Sequence, residues 1–177
     1  PVDVMNALGD DTYPDEVNIR SYKPVSSVHM GQLKRAVALL NEARRPVILA
    51  GGGVKLSGAG PALTELMEQT HIPVATTLMG KGVVPSSSPY SLGFMGMHGY
   101  FAANMAINDC DLLFSIGTRF NDRITGDVKR FAPHAKIIHI DIDAASISRN
   151  IQVDIPIVAD AKRAILAMKE MVEPQDM

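Results

Sequence analysis

Apolar positions along the chain fall into two kinds of run, and the two alternate. Leu33, Ala36, Val37 and Leu40 recur at i, i+3, i+4 and i+7, the spacing of one helix face, and the pattern stops ahead of Pro46. The continuous run "PVILA" follows and reads as a strand entering "GGG" at Gly51 to Gly53. Leu63, Leu66, Met67 and Thr70 mark a second helix that ends before "HIPVATT", the next strand. Past a loop holding "MGKGVVPSSSP", the short "YSLGF" reads as a weaker strand and "YFAANMAIND" as a helix. Three further strand runs follow, "DLLFSIG", "AKIIHIDID" and "DIPIVAD", and Ala161, Ile165, Met168 and Val172 predict a closing amphipathic helix.

The strand runs are almost unbroken in Val, Ile and Leu, which is what strands covered by helices on both faces require. Alternation with helices predicts an α/β fold, a doubly wound, six-stranded parallel sheet of Rossmann-like type with right-handed crossovers. Ahead of it, "PVDV" carries no initiator Met and "DDTYPDEVNIRSYKP" has neither period. Residues 1–28 therefore read as an interdomain linker, 29–174 as the α/β domain and 175–177 as a tail leading to a further, C-terminal domain. The chain is expected to be a piece of a larger protein, cut inside a linker at one end and just after a helix at the other.

Composition changes this picture only by exclusion. With 46% hydrophobic residues in 177, the chain can bury a substantial core. A formal net charge of -2 and no Lys/Arg block exclude nucleic acid as a partner. No apolar run approaches the roughly 20 residues that span a bilayer, and no signal-peptide pattern opens the chain, so no membrane is expected and the expected compartment is the cytoplasm. The single Cys110 excludes an internal disulfide framework and a Cys-based zinc site, and reads as a small buried residue at a strand start. His29, His71, His98, His134 and His139 show no ligand spacing, so no metal site is expected.

In a doubly wound sheet, ligands lie beyond the carboxyl ends of the strands, so the residues just after each strand carry the chemistry. Those residues are Gly51-Gly52-Gly53, Thr76-Thr77-Leu78-Met79-Gly80, Gly117-Thr118-Arg119-Phe120-Asn121-Asp122-Arg123, Asp141-Ile142-Asp143 and Asp160, with Gly96-Met97-His98-Gly99 ahead of the third helix. Glycines admit a close backbone approach, arginines offer fixed cationic forks to diphosphate or carboxylate, and the aspartates are acceptors for ribose hydroxyls or an adenine amino group. The rim as a whole suits a nucleotide. Plainer readings stay open for each member: a ligand-free turn at the glycines, surface pairing of Arg119 and Arg123 with Asp122 and Asp127, an exposed His98, Met95 and Met97 as core. Asp141 and Asp143 point to opposite strand faces if the strand continues, which makes one of them a candidate helix cap. The chain has no G-x-G-x-x-G after its first strand and no acid after its second, which disfavours a standard NAD dehydrogenase. It also lacks the phosphate loop of P-loop NTPases and the G-x-S-x-G elbow of nucleophilic hydrolases.

The segments "RPVILAGGG", "IPVATTLMGKG", "GFMGMHGYFAANMAINDCDLLFSIGTRFNDRITG" and "AKIIHIDIDAASISRN" resemble the central domain of the acetolactate synthase (acetohydroxyacid synthase) catalytic subunit family of thiamine-diphosphate enzymes. The resemblance covers nearly the whole chain. It implies a six-stranded parallel sheet that binds FAD, with contacts from Arg20, Gly52, Gly53, Thr77, Leu78, Gly96, Met97, His98, Gly117, Arg119, Asp122, Arg123, Asp141, Ile142 and Asp160. It also implies that Arg123 stands at the active-site mouth and helps receive the second 2-keto acid, and it sets Lys23 against a basic residue of that region across a linker shorter than in some relatives. Asn121 departs from the family, which usually has Asp there, and keeps an acceptor oxygen.

The implied activity is transfer of a two-carbon unit: condensation of two pyruvates, or of pyruvate and 2-ketobutyrate, into acetohydroxy acids for branched-chain amino acid biosynthesis. Thiamine diphosphate and Mg2+ would be held by flanking domains of the same chain, FAD would carry no electrons, and the isolated domain would be inactive. The implied assembly is a homodimer or homotetramer of the full subunit with a regulatory small subunit. Alternatives are a related carboligase, such as glyoxylate carboligase, and a stand-alone nucleotide-binding module.

Overall fold

A computed structural model describes residues 1–20 and 27–174; Lys23 and the tail 175–177 lie outside them. A single exposed helical turn, α1 (Val2–Met5), is followed by α2 (Met30–Glu42), β1 (Pro46–Ala50), α3 (Gly52–Leu56), α4 (Gly60–Thr70), β2 (Val74–Thr76), β3 (Ser91–Phe94), α5 (Phe101–Asp109), β4 (Leu112–Ile116), α6 (Asp122–Thr125), β5 (Lys136–Asp141), β6 (Ile155–Val158) and α7 (Ala161–Lys169). Short 3-10 turns occupy Leu78–Gly80, Val128–Arg130 and Ala144–Ser146. The six strands form one sheet in the order β3-β2-β1-β4-β5-β6, every neighbouring pair parallel. This is the doubly wound arrangement expected from the alternating runs, and the order reverses between β1 and β4.

Strand side chains alternate between the two faces, and the residues sort accordingly. Val74, Ile48, Phe114, Ile138 and Ile155 are register partners across five strands. They pack in one core with Leu33, Ala36 and Leu40 of α2, Leu63 and Leu66 of α4, and Ile165 and Met168 of α7. On the other face Leu49, Ala75, Leu113 and Ile137 meet Ala103 and Ile107 of α5 together with Phe120, Ala132 and Ile151. Each large side chain taken fully out of water contributes about 1.5–3 kcal/mol, so the two layers together oppose the entropy of ordering the chain. The row Ala75, Leu49, Ser115 and His139 on the second face carries two polar residues in register on β4 and β5. Both are fully buried.

The weak "YSLGF" run is the edge strand β3, half-buried and joined to β2 with a register shift between Val74 and Ala75. Val172 lies beyond the end of α7 yet is buried against the same core. Asp111 fixes the start of β4 by accepting the N–H groups of Arg44 and Arg45 at 2.8 and 2.9 Å. Cys110 is buried beside it and donates Sγ–H to the Ile107 carbonyl, 3.1 Å away. Burial, and then the Asp111 carboxylate, push its thiol up to about 12. The thiolate is the reactive form, so Cys110 is expected to stay unmodified by a disulfide reagent in the native protein and to react only on unfolding; stoichiometric labelling under native conditions would contradict the packing.

Candidate functional site

At the β1/β4 reversal the two strand ends stand in backbone contact. Gly53 N–H donates to the Gly117 carbonyl at 3.0 Å and Gly51 N–H to Ile116 at 2.8 Å. A Cβ on Gly53 would fall 2.7 Å from Gly117 Cα, and Gly117 itself has φ +61°. Gly53 and Gly117 are therefore required by chain-to-chain packing, and "GGG" is partly the opening of α3 rather than a loop. Gly52 differs: a Cβ there would meet only Met79, its Cβ at 3.1 Å and its backbone at 3.8 Å or more. It keeps the wall between α3 and the Leu78–Gly80 turn thin.

Above this interlock lies a cavity of about 770 Å³, within the usual range for small-molecule and cofactor sites. Its lining includes Gly52, Gly53, Thr77, Leu78, Gly96, Met97, His98, Gly117, Arg119, Arg123, Asp141 and Ile142, all singled out from the sequence. Three residues of that set lie elsewhere. Arg20 is exposed in the segment ahead of α2 and does not reach the lining. Asp122 lines a second cavity of about 350 Å³ on the far side of the Gly96–Arg123 contact. Asp160 is the N-cap of α7 and accepts the Arg163 N–H at 3.0 Å.

Leu56, Phe94, Ile124 and Ser146 also line the main cavity and were not foreseen. Leu56 ends a five-residue helix too short to show a period, so its only sequence signal was an apolar residue next to a glycine run. Leu56, Leu78, Met79, Met97 and Ile142 are all exposed, which gives the rim an apolar surface large enough to receive a flat ring system.

Most of the polar groups of the cavity follow β4 and β5. Beyond Gly117 the chain turns through Phe120, a buried residue at φ +49°. Phe120 packs edge-on against Phe131 and against His139. This arc directs Arg119 to the cavity, and α6 does the same for Arg123. Among the described residues neither arginine has a carboxylate within 4 Å, so the surface pairing with Asp122 and Asp127 does not form. Arg123 also lines the second cavity, and its backbone carbonyl accepts the Met97 N–H at 3.0 Å. Gly96 is held from the other side by a two-point bond with the Asn104 side-chain amide.

Asp141 ends β5 and Asp143 starts the following turn. Asp143 is the cap: it accepts the Ala145 N–H and the Ser146 hydroxyl, both at 3.0 Å. Asp141 Oδ1 accepts the Asp143 N–H at 2.9 Å, while Oδ2 lies 3.8 Å from His139 Nε2. Burial pushes the Asp141 carboxyl above its ordinary value, opposed by the Asp143 N–H, His139 and Arg119. Burial likewise pushes His139 below its ordinary value, which favours the neutral imidazole at neutral pH. One buried acid and two arginines without a carboxylate partner surround a largely apolar hollow, groups able to accept from hydroxyl or amino donors and to receive anionic oxygens. No group of three or more His, Cys, Asp or Glu side chains able to hold a metal occurs among the described residues, and no described helix is long and apolar enough to cross a membrane.

Residues 33–168 match the family described as thiamine pyrophosphate enzyme, central domain. The chain is 55% identical over 152 residues to the probable acetolactate synthase large subunit of Methanocaldococcus jannaschii, covering 86% of this chain and 26% of that protein. It is 52% identical over 163 residues to the corresponding protein of Methanococcus aeolicus, covering 92% and 27%. It is 40% identical over 177 residues to the acetolactate synthase isozyme 3 large subunit of Escherichia coli, covering 99% and 31%. The chain thus spans between a quarter and a third of the length of these relatives. With residues 33–168 matched by that family, the chain belongs to the thiamine pyrophosphate enzyme central domain family.

Proposed function

We propose that this domain holds FAD in the 770 Å³ cavity at the β1/β4 reversal and serves within an acetolactate synthase. The observation that carries the reading is the convergence of the rim residues on one hollow, with Arg119, Arg123, Asp141 and Asp143 among its charged groups. In this reading the diphosphate lies near Gly52 and Arg119, where a thin wall meets an unpaired guanidinium. The adenosine lies near Asp141, whose Oδ2 accepts from a ribose hydroxyl or the adenine amino group. Asp160 belongs to the proposed contact set only through the α7 start, since one of its oxygens is already committed to the cap. Arg20 and Asp122 join it only if other parts of the protein bring the cofactor to them. The exposed apolar rim formed by Leu56, Leu78, Met79, Met97 and Ile142 would hold the flavin ring by apolar contact.

The bound flavin is a structural element of the site and carries no electrons in the condensation. What this chain's own residues do is bind and orient it, and present Arg123 at the boundary between the two cavities to a 2-keto acid carboxylate. Thiamine diphosphate and Mg2+ are assigned to flanking domains, and the isolated domain to an inactive state. A homo-oligomer of the whole subunit, a regulatory small subunit and a cytoplasmic location complete the proposal. The names of the relatives favour acetolactate synthase over glyoxylate carboligase.

The test is a flavin fluorescence titration of the full-length protein, wild type against Asp141→Ala, with NAD as a competitor. Wild type is expected to bind FAD without competition by NAD. The variant should lose about 1–3 kcal/mol, roughly five- to hundredfold in affinity, while circular dichroism shows the fold retained. An unchanged affinity would mean the nucleotide lies elsewhere. Assay of the same protein with pyruvate and with glyoxylate separates the two carboligase activities.

A further inference from the structure

We propose that His139 is a positioning residue of the proposed flavin site: locked by Ser115 as a neutral imidazole with its proton on Nε2, it ties down the arc that aims Arg119 into the cavity. The inference rests on the flavin reading above and adds to it a residue that never reaches the cofactor. His139 Nε2 lies 2.8 Å from the Thr118 carbonyl oxygen. A carbonyl only accepts, so Nε2 carries the hydrogen and Nδ1 of the neutral ring is an acceptor. His139 Nδ1 and Ser115 Oγ are the two buried side-chain polar atoms without a partner among the described residues, and their residues are register partners on one face of adjacent strands. Strands lie about 4.8 Å apart; the hydroxyl and the ring nitrogen make no direct hydrogen bond, so one buried water is the bridge that joins them. One orphan is a donor and the other an acceptor, and joining them fixes the tautomer that Thr118 needs.

The arc is then held at two successive carbonyls. His139 takes that of Thr118, and the Asn150 side-chain amide donates to that of Arg119 at 2.8 Å. Phe120 follows, its ring centroid 5.0 Å from that of the imidazole and its backbone at φ +49°. A bulky residue keeps that conformation only where its surroundings impose it. With Nε2–H committed to Thr118, the Asp141 carboxylate at 3.8 Å is not consumed by the histidine and keeps Oδ2 for a ligand.

The experiment measures FAD affinity in the full-length protein for His139→Gln, His139→Leu, Ser115→Ala and Arg119→Ala, and for His139→Leu combined with Arg119→Ala. Glutamine keeps an N–H near the Nε2 position and is expected to stay within threefold of wild type, whereas leucine loses the donor and should weaken binding tenfold or more. Ser115→Ala, which frees the tautomer without adding volume, should weaken binding three- to tenfold and stands in if His139→Leu fails to fold. The decisive comparison is the combined variant. Because His139 acts through Arg119, His139→Leu should cost less than threefold once Arg119 is already alanine. Equal fold-changes in both backgrounds, glutamine no better than leucine, or lowered thermal stability with unchanged FAD affinity would overturn the proposal and leave the flavin site standing. Failure of the wild type to bind FAD would instead remove the flavin reading, and this inference with it.

Discussion

Gly117→Ala is expected to lower the unfolding midpoint by roughly 6–12 °C, the effect of about 3 kcal/mol in a chain of this size. The estimate has two parts. Alanine at φ +61° costs about 1 kcal/mol or more on conformation alone. Its Cβ would also sit 2.6 Å from Gly53 Cα and 3.0 Å from the Gly53 nitrogen and carbonyl carbon, all backbone atoms that cannot rotate away. Relief requires β1 and β4 to part at the Gly53 N–H to Gly117 bond, where the core of both sheet faces is anchored. Gly58→Ala is the control: that glycine also has positive φ, but a Cβ there meets nothing within 4 Å. It should show the conformational cost alone. Equal losses for the two variants would show that the interlock contributes nothing.

Arg119→Ala in the full-length protein is expected to weaken FAD binding tenfold or more, and more than Arg123→Ala does. Loss of a charge-assisted contact typically costs about 1.5–3 kcal/mol. Arg119 extends from an arc whose backbone is held on both sides, it has no competing carboxylate, and it is close enough to Asp141 to influence that carboxyl. Arg123 stands on a four-residue helix between two cavities, with Nη1 3.9 Å from Met97 Sδ. Its removal should appear mainly in turnover with the second 2-keto acid. Titration of both variants with FAD checks the order, and indistinguishable affinities would refute it.

The parts of the molecule that the sequence made legible are those whose physics is periodic. "PVILA" and "DLLFSIG" announce fully covered strands because every position is apolar, and the Leu33 to Leu40 spacing announces α2 because one face alone is buried. The six strand ends followed from topology, so most of the cavity lining was readable as well. What escaped was structure fixed by contact instead of pattern. α3 and α6 have five and four residues, too few to show a helical period. The glycine run was read as room for a ligand, yet at Gly53 it is room for Gly117. Asp160 looked like a strand-end acceptor, although an aspartate just ahead of an amphipathic run is also an N-cap signal, and the cap is what forms. That Ser115 and His139 stand side by side depends on register between two strands, which neither strand encodes by itself.

The strand order has a consequence for how the domain emerges from a ribosome. β1 lies at the centre of the sheet, but its second neighbour is β4, and Asp111 closes onto Arg45 from 66 residues downstream. At roughly 5–20 residues per second, that partner follows about 3–13 seconds later. During this interval β1, β2 and the helices between them can assemble only as a half-sheet whose growing edge is the wholly apolar "PVILA" strand. Such an edge is a template for pairing with other nascent chains. Slowing translation between Gly51 and Leu112 should therefore raise the fraction that aggregates.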